Sequence, residues 1–361
     1  MREFVIPKQT SALVAPSPLG SIALNALTIK CLSFSVDPLR NHGKNVLSLG
    51  MKTLFLCLFL CLGGADEDSL RVLFWNVENF FDWRADSTST SELEFSSRGA
   101  RHWTRRRVLA KANAIAKTIL WTGSLPDVVG LAEVENRRVL NILLEETALR
   151  KLDYRIVHFD SPDSRGIDVA LLYRASRLEL LSAKPCHLYN PDSTVMPTRD
   201  ILLACFRPVA GEPVAFAVNH HPSKFSGSEL SEKRRERAVR RLRELADSLQ
   251  AAGYGRIVAM GDMNDTPANP VYKLLEPTLE NLAEPPFRRG EGTIRYDGEW
   301  ELIDMFFASP AAHAGHMRIL HPPHLTVPDK AHGGQKPLRT WSGPRYLGGV
   351  SDHRPIQVLI K

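Results

Sequence analysis

The chain has 361 residues, of which 43% are hydrophobic and 24% charged, a composition typical of a globular protein with one large domain or two small ones. Its formal charge is +6, but residues 1–65 carry six of the 46 basic and two of the 40 acidic residues, so the remainder has a charge near +2. That balance excludes a protein whose overall positive charge alone would bind polyanions.

The segment MKTLFLCLFLCLGGADEDS, which begins at Met51, has the layout of a secretory signal. One lysine is followed by an apolar run from Leu54 to Leu62 and then by small residues, and the run is too short to span a bilayer. We therefore expect translation to begin at Met51, with residues 1–50 an upstream extension and residues 51–65 a signal peptide. Residues 66–361 would then be the mature domain of a secreted or periplasmic protein.

Cys186 and Cys205 are the two cysteines of this expected mature domain. Each lies in a strand-like run, and nineteen positions separate them. Such a spacing is compatible with a single disulfide or with two free thiols, since the geometry of a disulfide cannot be read from a sequence. Neither cysteine has neighbours that would activate it as a nucleophile.

From Leu70 onward, apolar runs typical of strands alternate with helical patterns. In chain order we predict strands at RVLFWNV, DVVGLAEVEN, GIDVALLYR, DILLACFRP, PVAFAVNHH, RIVAMGDMND, LIDMFFAS and HRPIQVLI, and helices at TRRRVLAKANAIAKTIL and SELSEKRRERAVRRLRELADSL. Turn residues at Pro185–Asp192 and Gly211–Pro213 are expected to separate strands. The order mixes βαβ units with hairpins, which predicts an α/β sandwich of two sheets packed face to face and covered by helices.

The second predicted helix is the one dense basic run. Acidic residues at Glu232, Glu236 and Glu244 alternate with its arginines at helical spacing, which favours a solvated, salt-bridged face over a nucleic-acid contact. The sequence has no Gly-rich phosphate loop and no dinucleotide fingerprint, so no nucleotide cofactor is expected.

Polar and charged residues stand where the predicted strands end. They are Asn76 and Glu78, Glu133 and Glu135, His220 and His221, Asp262, Asn264 and Asp265, Asp304, and Asp352 with His353. If these ends converge, carboxylates, amides and imidazoles meet in one cleft. Oxygen ligands without a Cys/His cage suit Mg²⁺, with Mn²⁺ or Ca²⁺ as alternatives, and imidazoles carry protons at neutral pH. This combination predicts metal-assisted hydrolysis of a phosphoester.

In this order, the motifs FWNVENFF, GLAEVEN, VNHHPS, GDMND, LIDMFFAS and GGVSDHRP resemble the endonuclease/exonuclease/phosphatase superfamily, whose fold is that of pancreatic-type deoxyribonuclease. The resemblance covers residues 70–361, and GDMND together with SDH is its most specific part. It implies a four-layer α/β sandwich, in agreement with the order of the predicted elements.

The resemblance also implies roles for individual residues. It makes Glu133 the principal metal ligand, with Asn76 beside it and Asp352 as a further ligand. His353 would be the general base or the electrostatic partner of the attacking water, oriented by Asp304.

Asp262 and Asn264 would bind the water or the leaving oxygen and the phosphate. His220 would be the second histidine of the site, with His221, one residue on, as the alternative.

Two arginines are candidates for binding the substrate phosphate. Arg199 stands at the start of a strand where the related nucleases have a phosphate-binding arginine, and Arg165 is nominated less firmly, together with Asp168. For both arginines a surface salt bridge, such as one between Arg199 and Asp200, is the alternative. Trp341 could stack on a substrate or pack inside a loop.

We therefore expect a secreted, divalent-metal-dependent phosphodiesterase, most commonly a nuclease in this family. The expected partner is nucleic acid or another phosphoester substrate, with no obligate protein partner and no membrane span after removal of the signal. The alternatives are a phosphomonoesterase, a phospholipid or inositol-phosphate hydrolase, and a binding module that has lost the reaction. The last is disfavoured because every matched motif keeps its chemically competent residue.

Overall fold

The computed structural model describes residues 69–85, 90–223 and 228–361, all of which belong to one unit, Gly64–Lys361. The expected extension over residues 1–50 and the expected signal peptide over residues 51–65 lie outside the described residues. Within the described part of the chain, no helix is long and apolar enough to cross a membrane.

Two large sheets, each mixed in strand direction, lie at the centre of the fold. The first consists of β1 (Leu70–Phe80), β2 (Val128–Val134), β3 (Tyr154–His158), β4 (Asp168–Arg174), β13 (Arg318–Ile319) and β18 (Ile356–Ile360). Its order is β13-β18-β1-β2-β4-β3, and β1 runs parallel to β2 and antiparallel to β18.

The second sheet consists of β5 (Leu178–Cys186), β6 (Ile201–Pro208), β7 (Val214–His220), β8 (Arg256–Asp262), β9 (Glu280–Asn281) and β12 (Asp304–Ala308). Its order is β5-β6-β7-β8-β12-β9, and here β7 and β8 are the parallel pair.

Helices and small hairpins surround the sheets. The helices are α1 (Thr90–Glu94), α2 (Arg105–Trp121), α3 (Arg137–Glu145), α4 (Ser228–Ala251) and α5 (Glu284–Arg288). The hairpins pair β10 (Ile294–Tyr296) with β11 (Glu299–Glu301), β14 (Thr326–Pro328) with β15 (Gln335–Pro337), and β16 (Trp341–Ser342) with β17 (Arg345–Tyr346). Short 3₁₀ turns lie at Ala148–Lys151, Pro270–Leu275, Pro310–Ala312 and Pro323–Leu325.

Strand β1 shows why the sheets pack as layers. Successive side chains of a strand point to opposite faces, so Val72 and Phe74 join the core shared with the second sheet, while Leu73 and Trp75 join the core under helices α2 and α3. Both faces are therefore covered, which explains the continuous apolar run in this strand. Helix α4 covers the second sheet with its apolar side. The expected α/β sandwich of two mixed sheets flanked by helices is confirmed.

The basic helix α4 has the expected salt-bridged face. Exposed pairs one turn apart join Lys233 to Glu229, Arg240 to Glu236, and Arg243 to Asp247. These pairs place acidic side chains among the basic ones on the exposed side of α4.

One local expectation needs revision, and one question that the sequence left open is answered. Pro185 does not begin a turn but lies inside β5, opposite Leu202 of β6. An edge strand tolerates proline because its missing N–H group can face away from the sheet. Cys186 and Cys205 are both free and buried, and they stand opposite Ile201 and Ser182 rather than each other.

Candidate functional site

The ends of strands β7, β8 and β12 meet at one edge of the second sheet. Asp262 is opposite His220 in the parallel pair and opposite Asp304 in the antiparallel pair. Gly261 makes this approach feasible, because a Cβ at that position would lie 2.4 Å from the carbonyl oxygen of Asn219 in β7. The glycine of the GDMND motif is therefore needed for the strands to bring these side chains together.

His353 lies at the centre of the cluster and is buried. Its Nδ1 is 2.8 Å from Asp304 Oδ2, and its Nε2 faces Asp262 Oδ2 at 3.8 Å and Asp352 Oδ1 at 4.0 Å. Trp75 donates a hydrogen bond to the His353 carbonyl. These contacts fix both the backbone and the ring of His353.

Asp262 links the histidines to the first sheet. Asn76 Nδ2 donates to Asp262 Oδ2 over 3.0 Å, and His220 Nε2 lies 3.6 Å from the same oxygen. The backbone N–H of Asn264 donates to Asp262 Oδ1, whereas the side chain of Asn264 donates to the His221 carbonyl. Asn264 therefore positions Asp262 through its backbone, while its side chain holds the backbone of His221.

Residue 351 joins the SDH motif to strand β1. Ser351 Oγ donates to the Asn76 carbonyl and accepts from the His353 N–H. Gly349, two residues earlier, passes so close to Leu338 that a Cβ would lie 1.9 Å from the Leu338 carbonyl oxygen. The sequence GGVSDH therefore serves to lay the chain tightly against its neighbours and to aim Asp352 and His353 into the cleft.

Glu133 lies beside this cluster at the end of β2. Asn79 N–H donates to its Oε2 over 2.8 Å, and its Oε1 is 3.8 Å from Arg165. Several site residues that are not glycine adopt the left-handed backbone conformation, namely Glu78, Asn79, Glu133 and Asn264. Such conformations are costly for these residue types and cluster at functional sites.

A group of buried charged residues next to the site holds the end of β1 and the GGVSDH segment together. Its central residue, Lys111, was not predicted from the sequence. Lys111 of α2 is 2% exposed and donates to Thr340 Oγ1, to the Val350 carbonyl and to the Glu78 carbonyl. The signal was present in the sequence, because Lys111 stands at helical spacing among residues of the buried face of α2.

The Glu78 carboxylate belongs to the same group. It accepts from Thr340 N–H and from the Arg339 guanidinium, which also lies 2.9 Å from Asp352 Oδ2. Burial and then the Asp352 charge raise the pKa of Glu78 to about 7, while burial lowers the pKa of Lys111 to about 8.

The arginine predictions have different outcomes. Arg199 is buried, not part of a surface salt bridge: it pairs with Asp163 over 3.1 Å and donates to the His221 carbonyl. Asp200, the alternative partner, pairs with His187. Arg165 is more exposed and lies between Glu133 and Asp163. Burial lowers the pKa of Arg199, which borders the site but is already engaged.

Three other candidates are placed by the structure. The backbone N–H of His221 donates to the Asp262 carbonyl, but neither of its ring nitrogens has a hydrogen-bond partner within the described part of the chain. Trp341 is 6% exposed and packs on Trp103 and Phe95, so it is a core residue and not a stacking platform. Asp168 is held by His158 and the Ser161 N–H.

The two histidines of the cluster have opposite electrostatics. Burial alone would lower the pKa of His353, but the Asp304, Asp262 and Asp352 carboxylates outweigh it and hold that pKa well above its ordinary value. Burial and the charges of Arg199 and Arg165 hold the pKa of His220 well below its ordinary value. Burial raises the pKa of Asp262 to about 6. The surroundings therefore favour the charged form of the His353 imidazole and the neutral form of the His220 imidazole.

The oxygen donors of the cleft fit a divalent cation. Asp304 Oδ1 is buried without a hydrogen-bond partner in the described structure, and Asp262, Asp304 and His353 offer ligand atoms within 4.8 Å of one another. In this trio, however, Asp304 Oδ2 and His353 Nδ1 form a hydrogen bond with each other. Glu133, Asn76 and Asp352 offer carboxylate and amide oxygens, the donors that Mg²⁺ prefers.

Comparison with known proteins identifies one family and many solved structures with a similar fold. Residues 71–361 match the family model described as endonuclease/exonuclease/phosphatase family. No curated protein sequence matches the chain.

Among solved structures, an endonuclease/exonuclease/phosphatase family protein from Bacteroides thetaiotaomicron is 17% identical with a TM-score of 0.54, covering 81% of this chain and 94% of its own. The mannosyl-6-phosphatase of the same organism is 16% identical with a TM-score of 0.53, covering 81% and 99%. TDP2 from D. rerio, complexed with a single-strand DNA product, is 16% identical with a TM-score of 0.51, covering 81% and 99%. At these low sequence identities, the TM-scores show a shared fold and no more.

Proposed function

Because the chain belongs to the endonuclease/exonuclease/phosphatase family, we propose that it is a divalent-metal-dependent phosphodiesterase that cleaves nucleic acid. The observation that carries this proposal is the contact chain from Asp304 through His353 to Asp262 and Asn76. It joins the ends of strands from both sheets into one acid and imidazole cluster. Such a cluster can orient a water molecule and receive its proton beside a phosphate.

In the proposed reaction, Asp304 fixes the ring of His353 so that Nε2 faces the cleft. Asp262, 3.8 Å from that nitrogen, orients the attacking water and accepts its proton. As the water oxygen bonds to phosphorus, the ester P–O bond on the opposite side breaks, and the leaving oxygen departs and takes up a proton from solvent. The His353 imidazolium stabilises the negative charge that develops on the phosphate oxygens. Glu133, Asn76 and Asp352 would hold the cation, which would supply further neutralisation of that charge.

The choice of nucleic acid as substrate is supported by one related fold and by the local charges. The D. rerio TDP2 structure contains a single-strand DNA product. Arg165 and Arg339 are partly exposed at the cleft and could contact backbone phosphates. Both arginines also pair with carboxylates of the cleft, so they would supply directional hydrogen bonds to phosphates and not a net positive surface.

A phosphomonoesterase is the second candidate, since the Bacteroides thetaiotaomicron mannosyl-6-phosphatase has the same fold. The two can be separated by comparing hydrolysis of bis(4-nitrophenyl) phosphate, a diester, with that of 4-nitrophenyl phosphate, a monoester, with Mg²⁺ and with EDTA. Faster, EDTA-sensitive hydrolysis of the diester supports the proposal. A preference for the monoester would replace it with phosphatase activity.

We also propose that the enzyme is secreted or periplasmic, on the strength of the signal-like segment that starts at Met51. N-terminal sequencing of the exported protein should then give a first residue near position 66. A protein that stays inside the cell with residues 51–65 still attached would contradict this proposal.

A further inference from the structure

A pocket of about 250 Å³ opens beside the cluster, on the side of the hairpins. Asp352 lines this pocket and also lies 4.0 Å from His353 Nε2, so the pocket and the proposed active site share a wall. Arg339, which pairs with Asp352, lines it as well. A group bound there would adjoin a phosphate held in the cleft.

The hairpin β10–β11 forms one wall and is tied directly to the site. Ile294 forms a backbone bridge with His353, and the Thr293 carbonyl accepts from the Arg354 N–H. Thr293 Oγ1 accepts from the Asp304 N–H. The position of the wall is thereby fixed relative to the Asp304 and His353 pair.

Tyr296, at the end of β10, stands at the rim with 71% of its surface exposed. The opposite hairpin is held against this wall because Arg295 donates to the carbonyls of Gly333 and Gln335. An exposed aromatic ring on a fixed strand is suited to stacking by a flat ligand.

The chemistry of the pocket discriminates between ligand classes. Val327 and Leu347 supply apolar surface. The charged side chains of the lining are paired: Arg295 and Lys336 with Asp329, and Arg339 with Asp352. Among the described residues that line it, Ser342 and Tyr296 are the uncharged side chains with a hydroxyl group able to hydrogen-bond a ligand. A sugar needs many such partners, whereas a nucleobase needs an aromatic face and apolar walls.

We propose that this pocket binds the nucleobase of a nucleotide adjoining the scissile phosphate, with the base stacked on Tyr296. The proposal rests on the proposed nuclease function and deepens it by naming a base-binding subsite. Stacking is tolerant of base identity, so the subsite favours any nucleotide over an abasic position.

The test uses two single-stranded oligonucleotides that differ at one central position, a thymidine in one and an abasic tetrahydrofuran residue in the other. Cleavage is mapped at every bond with the full chain, Mg²⁺ and the variants Tyr296→Ala, Tyr296→Phe and Tyr189→Ala. Tyr189 is the matched control, a 45% exposed tyrosine outside the pocket. Each oligonucleotide serves as its own reference, since its other bonds are unchanged.

The native chain and Tyr296→Phe should cut one bond beside the abasic residue at least about fivefold more slowly than the same bond in the intact oligonucleotide. Tyr296→Ala should cut that bond equally in both, through a higher KM on the intact strand, and Tyr189→Ala should behave as the native chain does. Equal cutting of both strands by the native chain would overturn the base subsite and leave the nuclease proposal intact. Absence of cutting at every bond would overturn both.

Discussion

His353 and Glu133 are the residues on which the proposed chemistry depends most. His353 faces Asp262 across 3.8 Å, and Glu133 is held by the Asn79 N–H with its other oxygen toward Arg165. We predict that His353→Ala and Glu133→Ala each lower kcat by about 10²–10⁴-fold. His353→Ala removes a charge that stabilises the transition state, and Glu133→Ala removes a ligand of the cation that would neutralise the same charge. Phosphodiester hydrolysis at saturating substrate measures this.

The control for these variants is His324→Ala, since His324 contacts Thr118 outside the site. It should keep native activity. Circular dichroism of all three variants should match the native chain. Unfolding of both His353→Ala and Glu133→Ala would show that these residues are structural and would contradict their assigned roles.

His221 gives a pH prediction at the same scale. Burial, and then the charges of Arg199 and Arg235, lower its pKa to about 3 in the folded chain, against an ordinary value near 6.5. The unfolded chain therefore binds a proton below pH 6.5 that the folded chain does not, and the free energy of unfolding falls as the pH drops.

Replacing His221 with phenylalanine should reduce the loss of unfolding free energy between pH 7.5 and pH 4 by about 3 kcal/mol. Urea unfolding at both pH values measures this, with His316→Phe, at an exposed position, as the control. Equal losses in the native chain and in His221→Phe would show that His221 is not kept neutral.

At the scale of elements, the buried ammonium group of Lys111 links helix α2 to the residues that support the site. Lys111 joins the end of β1 to the 338–350 loop through three oxygen acceptors. We predict that Lys111→Met lowers the free energy of unfolding by about 3–5 kcal/mol, because it leaves buried acceptors without a donor. Lys117→Met, at an exposed position on the same helix, should change it by less than about 0.5 kcal/mol. Similar urea midpoints for both variants would contradict the prediction that Lys111 stabilises the fold.

The sequence predicted the elements that have long apolar runs, and with them the ends of β1, β2, β7, β8 and β12 where the site lies. It did not predict β3, β5, helix α3 or the small hairpins. Short and edge strands carry little periodic signal, and Pro185 inside β5 suggested a turn. The partners of Lys111 and Arg199 were also missed. Those contacts join distant parts of the chain, and packing decides them rather than local pattern.

At the scale of the whole molecule, the described core is contained in the unit Gly64–Lys361. We therefore predict that a chain starting at residue 66 folds with the same urea midpoint as the full chain and has the same kcat. A loss of stability or activity on removal of residues 1–65 would show that the N-terminal region contributes to the fold and would contradict the expectation of a cleaved signal.

The central claim is that the cluster around His353 hydrolyses phosphodiesters with a divalent metal, and nicking of supercoiled plasmid by the full chain tests it most directly. The reaction is run with Mg²⁺, with EDTA and with His353→Ala at equal protein concentration. We predict nicking that EDTA abolishes and that His353→Ala lowers at least about 100-fold. Nicking that persists in EDTA or in His353→Ala, or no nicking by the folded native chain with Mg²⁺, would contradict the claim for DNA.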